Sequence, residues 1–284
     1  MLSQHIIDEV VSAALAEDAP WGDITSTHFV DPSLHAMAQL GARESGVFSG
    51  ASVFTAAFQL VNPDIEVSLM VQDGETFDKG AVLANVSGPA QGVLQAERVA
   101  LNFVQRMSGI ATLTSHFVDA VHGTQARIAD TRKTTPLLRA FERAAVVAGG
   151  GVNHRFSLSD AVLIKDNHLA VLTAQGRDLT EELRALRRRL GHTVKVEVEV
   201  DRLDQIEPVL AGGVDVIMLD NFTVEELEVG VRMVGGRAIV EASGGVHLDT
   251  VQRIARTGVD VISVGALTHS SRALDLGLDV TMNV

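Results

Sequence analysis

From residue 125 onward the chain alternates short apolar runs rich in β-branched residues with longer stretches of helical period, and no other feature limits the fold as strongly. Strands each followed by a helix pair in parallel, because the helix carries the chain back across the sheet before the next strand begins. The expected strands are Arg127–Asp130, Ala161–Ile164, Val194–Val200, Asp215–Leu219, Ala238–Glu241 and Val261–Val264. Between them DLTEELRALRRRL (178–190), RLDQIEPVLAGG (202–213), TVEELEVGVRMVGG (223–236) and HLDTVQRIARTG (247–258) read as amphipathic helices closed by glycine caps. Such units in succession predict an α/β barrel of the TIM type, complete or open.

The first hundred residues read differently. A helix over Ser3–Leu15 precedes strand-like runs at 36–48, 65–71 and 80–86, with a turn signal at Asp73-Gly74 between two of them. This predicts an α+β domain: an antiparallel sheet with helices on one face. A helical stretch from Gln95 to about Val121 leads out of it, and ALDLGLDV (273–280) alternates as a strand would and is expected to return to it. The expected domains are an N-terminal α+β sandwich over 1–110, joined by the tail 270–284, and a barrel over 111–269.

With no cysteine, the chain has no disulfide, thiolate nucleophile or cysteine-ligated metal, so its chemistry falls to carboxylates, amines, guanidinium groups and histidine. The start, MLSQHIIDEVV, lacks a basic segment ahead of an apolar one, and no run of about 18 apolar residues could span a bilayer. A cytoplasmic protein without membrane attachment is expected. A formal net charge of -13 argues against nucleic-acid binding, which requires a basic face. Against that background Arg127, Arg132, Lys133, Arg139, Arg143, Arg155 and Lys165 crowd one stretch that holds only Asp130, Glu142 and Asp160 as acids. Such an island is either a focused site for a small anion or a cluster of helix-surface arginines.

In a parallel barrel the functional groups gather where strands end and βα loops begin. Here those positions carry Thr131-Arg132-Lys133, Lys165-Asp166-Asn167-His168, the carboxylates Glu197, Glu199 and Asp201, Asp220-Asn221, EASGG (241–245) and VGALTHS (264–270). Small residues after the last two strands let backbone N–H groups approach a phosphate. The cations suit carboxylates and phosphates. Glu199 and Asp220 on neighbouring strands suit hydrated magnesium, or else ion pairs with the nearby lysines. Gly149-Gly150-Gly151, costly inside any regular element, fits a close backbone approach just before His154 and Arg155. No GxGxxG, Walker A or HExxH pattern occurs, so Rossmann, P-loop and zincin chemistry have no support.

DTRKTTP (130–136), GGGVNHR (149–155), LIKDNH (163–168), VEVEVD (196–201), IMLDN (217–221), EASGG (241–245) and GVDVISVGALTHS (258–270) resemble, in order and spacing, the motifs of the quinolinate phosphoribosyltransferases. EDAPWGDITS (17–26) and AERVALNFVQRMSGIAT (96–112) extend the resemblance over nearly the whole chain. It implies an N-terminal α/β sandwich with an open α/β barrel, and a homodimer whose active sites are completed across the interface. It implies transfer of phosphoribosyl from phosphoribosyl pyrophosphate to quinolinate with decarboxylation, giving nicotinate mononucleotide for NAD synthesis, with Mg2+ as cofactor. By motif position Arg132, His154 and Arg155, with Arg98 of the partner subunit, would bind the two carboxylates. Lys133 and Lys165 would line the same pocket and contact the phosphoribosyl pyrophosphate, and Glu199 and Asp220 would hold the ribose hydroxyls and magnesium. Ser243, Gly244, Gly245, Gly265 and His269 would surround the 5′-phosphate.

The chain departs from the family pattern at Leu137, commonly glycine, and at Arg143-Ala144, commonly Lys-Tyr. Two other readings stand beside the main one. A related protein could act on another acid, either nicotinate or, in a molybdenum-transport-associated relative, an unspecified one; the count of cations favours a diacid. A noncatalytic phosphate-sugar binding module would not need the Glu199 and Asp220 pair.

Overall fold

The computed structural model describes residues 2–283; Met1 and Val284, the outer ends of the expected N-terminal domain and tail, lie outside it. Its contacts form two compact units. One takes the chain up to Ser115, Thr134–Gly150 and the residues from Leu267; the other takes His116–Lys133 and Gly151–Ala266. The stretch 134–150, placed with the barrel by the sequence reading, thus falls in the first unit.

The second unit is built on six parallel strands in the order Arg127–Ala129, Val261–Ser263, Ile239–Ser243, Val216–Asp220, Val196–Val200 and Val162–Ile164. No ladder joins the two outer strands among the described residues, so the barrel is open. Each expected strand forms, with ends shifted by one or two residues. One side of the sheet packs on helices: a Cβ at Gly230, in helix Val224–Val234, would sit 2.7 Å from Leu219. Strand side chains alternate between faces, so Val216, Met218 and Asp220 point the other way, into the barrel. Register carries that face across the sheet, since Met218 is level with Glu199 and Glu241, and Asp220 with Ser243. In VEVEV the valines are therefore the helix-packing set and the glutamates the interior one.

Helix Leu179–Arg189 starts where Asp178 accepts the Glu181 N–H, and Val224–Val234 starts on a Thr223–Glu226 capping box and stops at left-handed Gly235. The helix expected over 202–213 is instead a 3-10 turn at Leu203–Gln205 followed by Ile206–Ala211. Pro208 accounts for this, because it has no N–H and fits an α-helix only in the first turn.

In the first unit a four-stranded antiparallel sheet runs in the order Leu276–Asn283, His35–Ala42, Val82–Pro89 and Glu66–Leu69. The tail returns as expected, pairing along the whole of His35–Ala42. Ala36, Ala38, Leu40 and Ala42 turn inward, and helices Gln4–Asp18 and Ala51–Val61 bury Ile7, Val11, Phe54 and Phe58. The Asp73-Gly74 turn does not join paired strands: Glu66–Leu69 pairs with Val82–Pro89, and Thr76–Phe77 with Gly46–Val47. Asp73 instead caps helix Ala51–Val61, accepting from the N–H groups of Gly50 (2.8 Å) and Ala51 (3.0 Å). Helix Ala90–Ala120 is the longest element described, and no described helix is long and apolar enough to cross a membrane. The first of the three glycines, Gly149, packs against it, where a Cβ would lie 2.3 Å from the Ala111 carbonyl oxygen.

Candidate active site

The barrel interior carries carboxylates at several levels. Glu199 pairs with Lys165, whose ammonium donates to Oε2. The ion pair expected as the alternative to a metal site is therefore present for Glu199. Asp220 accepts from the Asn221 side-chain amide at 2.6 Å. Asn221 is left-handed, with φ of 60°, and its N–H donates to the Ser243 carbonyl at 2.9 Å, tying this turn to the EASGG turn on the next strand. There Gly244 has φ of 86°, and a Cβ on it would meet Asn221 Oδ1 at 2.1 Å, so only glycine fits. Gly245, also left-handed, faces open space. Two exposed glycines and an open backbone after a strand form the kind of cradle a phosphate uses.

A second cluster stands on the 151–155 segment. Asp130, fully buried, accepts from the His154 N–H and from Asn153 Nδ2, both at 2.7 Å. His154 Nε2 lies 3.1 Å from Glu197 Oε2 and 3.5 Å from Glu241 Oε1, and Nδ1 accepts the Arg155 N–H at 2.7 Å. Burial works to lower the His154 pKa, but Glu197, Glu241 and Asp130 outweigh it and raise it. The Nδ1 bond opposes that rise, because an imidazolium has no lone pair to accept the Arg155 N–H. Glu241 is pushed up to about 7, first by burial and then by the neighbouring Glu197 charge. Arg155 donates from Nη1 to the Ala161 carbonyl at 2.8 Å; its pKa is lowered by burial and then by the like charge of Arg132.

Of the residues singled out from sequence, Arg132, Lys133, His154, Arg155, Lys165, Glu199, Asp220, Ser243, Gly244, Gly245 and Gly265 lie in the second unit, whereas Arg98 and His269 lie in the first. Arg98 is exposed on helix Ala90–Ala120, and His269 ends the short helix Ala266–His269. Sequence reasoning assigned no role to Asp130, Glu241 or Asn221, and treated Glu197 only as one of several strand-end carboxylates. For Glu197 and Glu241 the available signal was a charge inside a strand, which needs a partner wherever it is buried.

The sequence matches the quinolinate phosphoribosyl transferase N-terminal domain over residues 23–108 and the C-terminal domain over 110–279. The chain belongs to this family. It is 43% identical over 278 residues to the nicotinate-nucleotide pyrophosphorylase (carboxylating) of Mycobacterium leprae, covering 96% of each chain. To a probable enzyme of the same name in Bacillus subtilis it is 41% identical over 268 residues, 94% of this chain and 91% of that one. The crystal structure of NadC from Streptococcus pyogenes superposes with a TM-score of 0.94 at 37% identity, covering 100% of this chain and 99% of that one. For a quinolinate phosphoribosyl transferase the mixed architecture, an open parallel barrel with an antiparallel sheet domain, is thus the family's own.

Carboxylates of the barrel strands offer metal donors. Glu199 and Asp220 present hard carboxylate oxygens on adjacent strands, a set that fits magnesium. His154, Glu197 and Glu241 place one donor atom each within 4.8 Å of one another.

Proposed function

We propose that this chain transfers phosphoribosyl from phosphoribosyl pyrophosphate to quinolinate and releases carbon dioxide, forming nicotinate mononucleotide for NAD synthesis. The observation that carries the reading is the division of the charged groups: Arg155 fixed beside His154 on the 151–155 segment, and a Lys165–Glu199 pair with Asp220 and an open glycine turn on neighbouring strands. The first suits a diacid and the second a phosphorylated sugar.

The pyridine nitrogen attacks C1 of the ribose as the C1–O bond breaks and pyrophosphate leaves with the electron pair. Glu199 and Asp220 favour the cationic ribose, while Lys133 and Lys165 balance the departing charge. The quaternised ring then accepts the electron pair of the C2–carboxylate bond, carbon dioxide departs, and C2 takes a proton from solvent. Arg132 and Arg155 hold the diacid in register for both steps, with His154 fixing the segment that carries Arg155. Glu199 and Asp220 would hold magnesium, which when bound supplies charge neutralisation at the pyrophosphate oxygens. Ser243, Gly244, Gly245 and Gly265 take the 5′-phosphate, and His269 is assigned there by its motif alone.

A homodimer with Arg98 reaching the partner's pocket belongs to the same proposal. It is supported by the exposure of Arg98 on a helix outside every βα loop, and by Trp21 (92% exposed) and Phe29 (88% exposed), apolar surface of the kind a subunit contact covers. The cytoplasm is the proposed compartment, because a membrane excludes the charged phosphosugar.

Purified protein incubated with quinolinate, phosphoribosyl pyrophosphate and magnesium should yield nicotinate mononucleotide and carbon dioxide, and lose turnover in excess chelator. Nicotinate lacks the 2-carboxylate and would leave a guanidinium unpaired, so quinolinate should be used orders of magnitude more efficiently. Equal use of both acids would overturn the diacid reading. Mixed Arg98→Ala and Lys133→Ala proteins should recover towards a quarter of wild-type activity, the statistical share of intact sites. No recovery despite verified subunit exchange would mean that Arg98 serves its own subunit.

A further inference from the structure

Glu197 and Glu241 take no part in the reaction just described, yet each is a charge carried inside a strand and buried: 7% and 4% exposed. They lie on strands Val196–Val200 and Ile239–Ser243, with Val216–Asp220 between them. Glu197 keeps a buried carboxylate oxygen without a hydrogen-bond partner among the described residues, and Glu241 Oε1 lies 3.5 Å from His154 Nε2. Burying one such group is costly and burying two side by side is costlier, so a fold that kept them for packing alone would gain by replacing them with apolar residues.

Their shared neighbour is the His154 ring. His154 sits in a stretch, residues 151–161, with no helix or strand, only a single bridge from Val152 to Ala129. Asp130 holds its backbone from one side. The ring is held from the other, since Nδ1 accepts the Arg155 N–H, which puts the ring proton on Nε2, facing Glu197 and Glu241. An unbroken line of contacts thus runs from two interior carboxylates, through both ring nitrogens, to the backbone of Arg155, whose guanidinium is fixed in turn on the Ala161 carbonyl.

We propose that Glu197 and Glu241 are positioning residues for the acid substrate, acting through His154 to fix the Asn153–His154–Arg155 segment and with it the orientation of Arg155. This deepens the quinolinate reading and rests on it. A direct contact between either carboxylate and the diacid would set like charges together, so they act instead by removing the freedom of an irregular segment that must present a cation at one place.

The test is a cycle of variants assayed with quinolinate, phosphoribosyl pyrophosphate and magnesium. Wild-type turnover of quinolinate first establishes the parent reading, so its failure is separate from failure of this one. Glu197→Gln and Glu241→Gln, near-isosteric, should each raise the KM for quinolinate about tenfold, the worth of one charge-assisted hydrogen bond, and leave the KM for phosphoribosyl pyrophosphate within about twofold. In a His154→Ala background either change should add nothing further, because the ring through which they act is gone. Additive losses in that background, or equal rises in both KM values, would overturn the proposal. Thermal unfolding accompanies each assay, and if Glu197→Gln does not fold, Glu241→Gln carries the cycle alone. Equimolar metal retained by dialysed wild-type protein and lost in Glu241→Gln would also overturn it, since the three side chains would then be ligands.

Discussion

Removing the Glu142 carboxylate should destabilise the first unit more than any single surface change. Glu142 is 1% exposed and accepts four hydrogen bonds: from Arg106 Nε (3.3 Å) and Nη2 (2.7 Å), and from the Thr135 N–H (3.1 Å) and hydroxyl (2.8 Å). Glu142→Leu fills the space but strands a guanidinium and a backbone N–H. Breaking a buried pair on one side costs about 3–5 kcal/mol. Arg106 keeps the carbonyls of Thr268 and Ser271 and is about a quarter exposed, so the low end, about 3 kcal/mol, is expected. With a urea dependence of roughly 3 kcal/mol per molar for a unit of this size, the midpoint should fall by about 1 M. Urea unfolding followed by far-UV circular dichroism reads this directly. Arg106→Met combined with Glu142→Leu should recover most of the loss, because the stranded charge goes too. A Glu142→Leu midpoint within about 0.3 M of wild type, or a double variant as unstable as the two single losses added together, would refute the reasoning.

Leu137 is 90% exposed and left-handed, with φ of 67°, where the family commonly has glycine. That conformation costs an L-residue about 1–2 kcal/mol, against about 0.5–1 kcal/mol of extra chain entropy for glycine, so Leu137→Gly should raise Tm by about 2 °C; a fall would refute it. For Asp215 burial works to raise the pKa, but Arg187, the Val196 N–H and Lys195 overcome it and hold the carboxyl well below its ordinary 3.8. A depressed native value stabilises the fold in full above the unfolded pKa and loses that contribution as the pH falls toward the native one. The difference in urea midpoint between wild type and Asp215→Asn should therefore hold from pH 7 to about 4.5 and shrink below about 3.8; a difference independent of pH would count against the pairing.

Local pattern made much of this protein legible before any coordinates. A period of two in VEVEV, a period of 3.6 between strands and glycine or proline at the joins are interactions among near neighbours, so six strands and their order along the chain could be read within a residue or two. The motif series likewise named Lys165, Glu199, Asp220 and Gly244 before their geometry was known. Long-range partnership was not legible. That Glu197 and Glu241 meet at His154 follows from a strand order in which Val216–Asp220 lies between theirs, and that order is set by how the helical crossovers close the sheet. Asp73 looked like a hairpin turn because turn chemistry and helix capping use the same side chain, and only the position of helix Ala51–Val61 distinguishes them. The stretch 134–150 follows a barrel strand in the chain but belongs to the first unit, where Glu142 finds Arg106. Sequence thus determined the elements and the inventory of charges; tertiary structure decided which charges are buried together, because burial turns a tolerable exposed carboxylate into one that must have a partner.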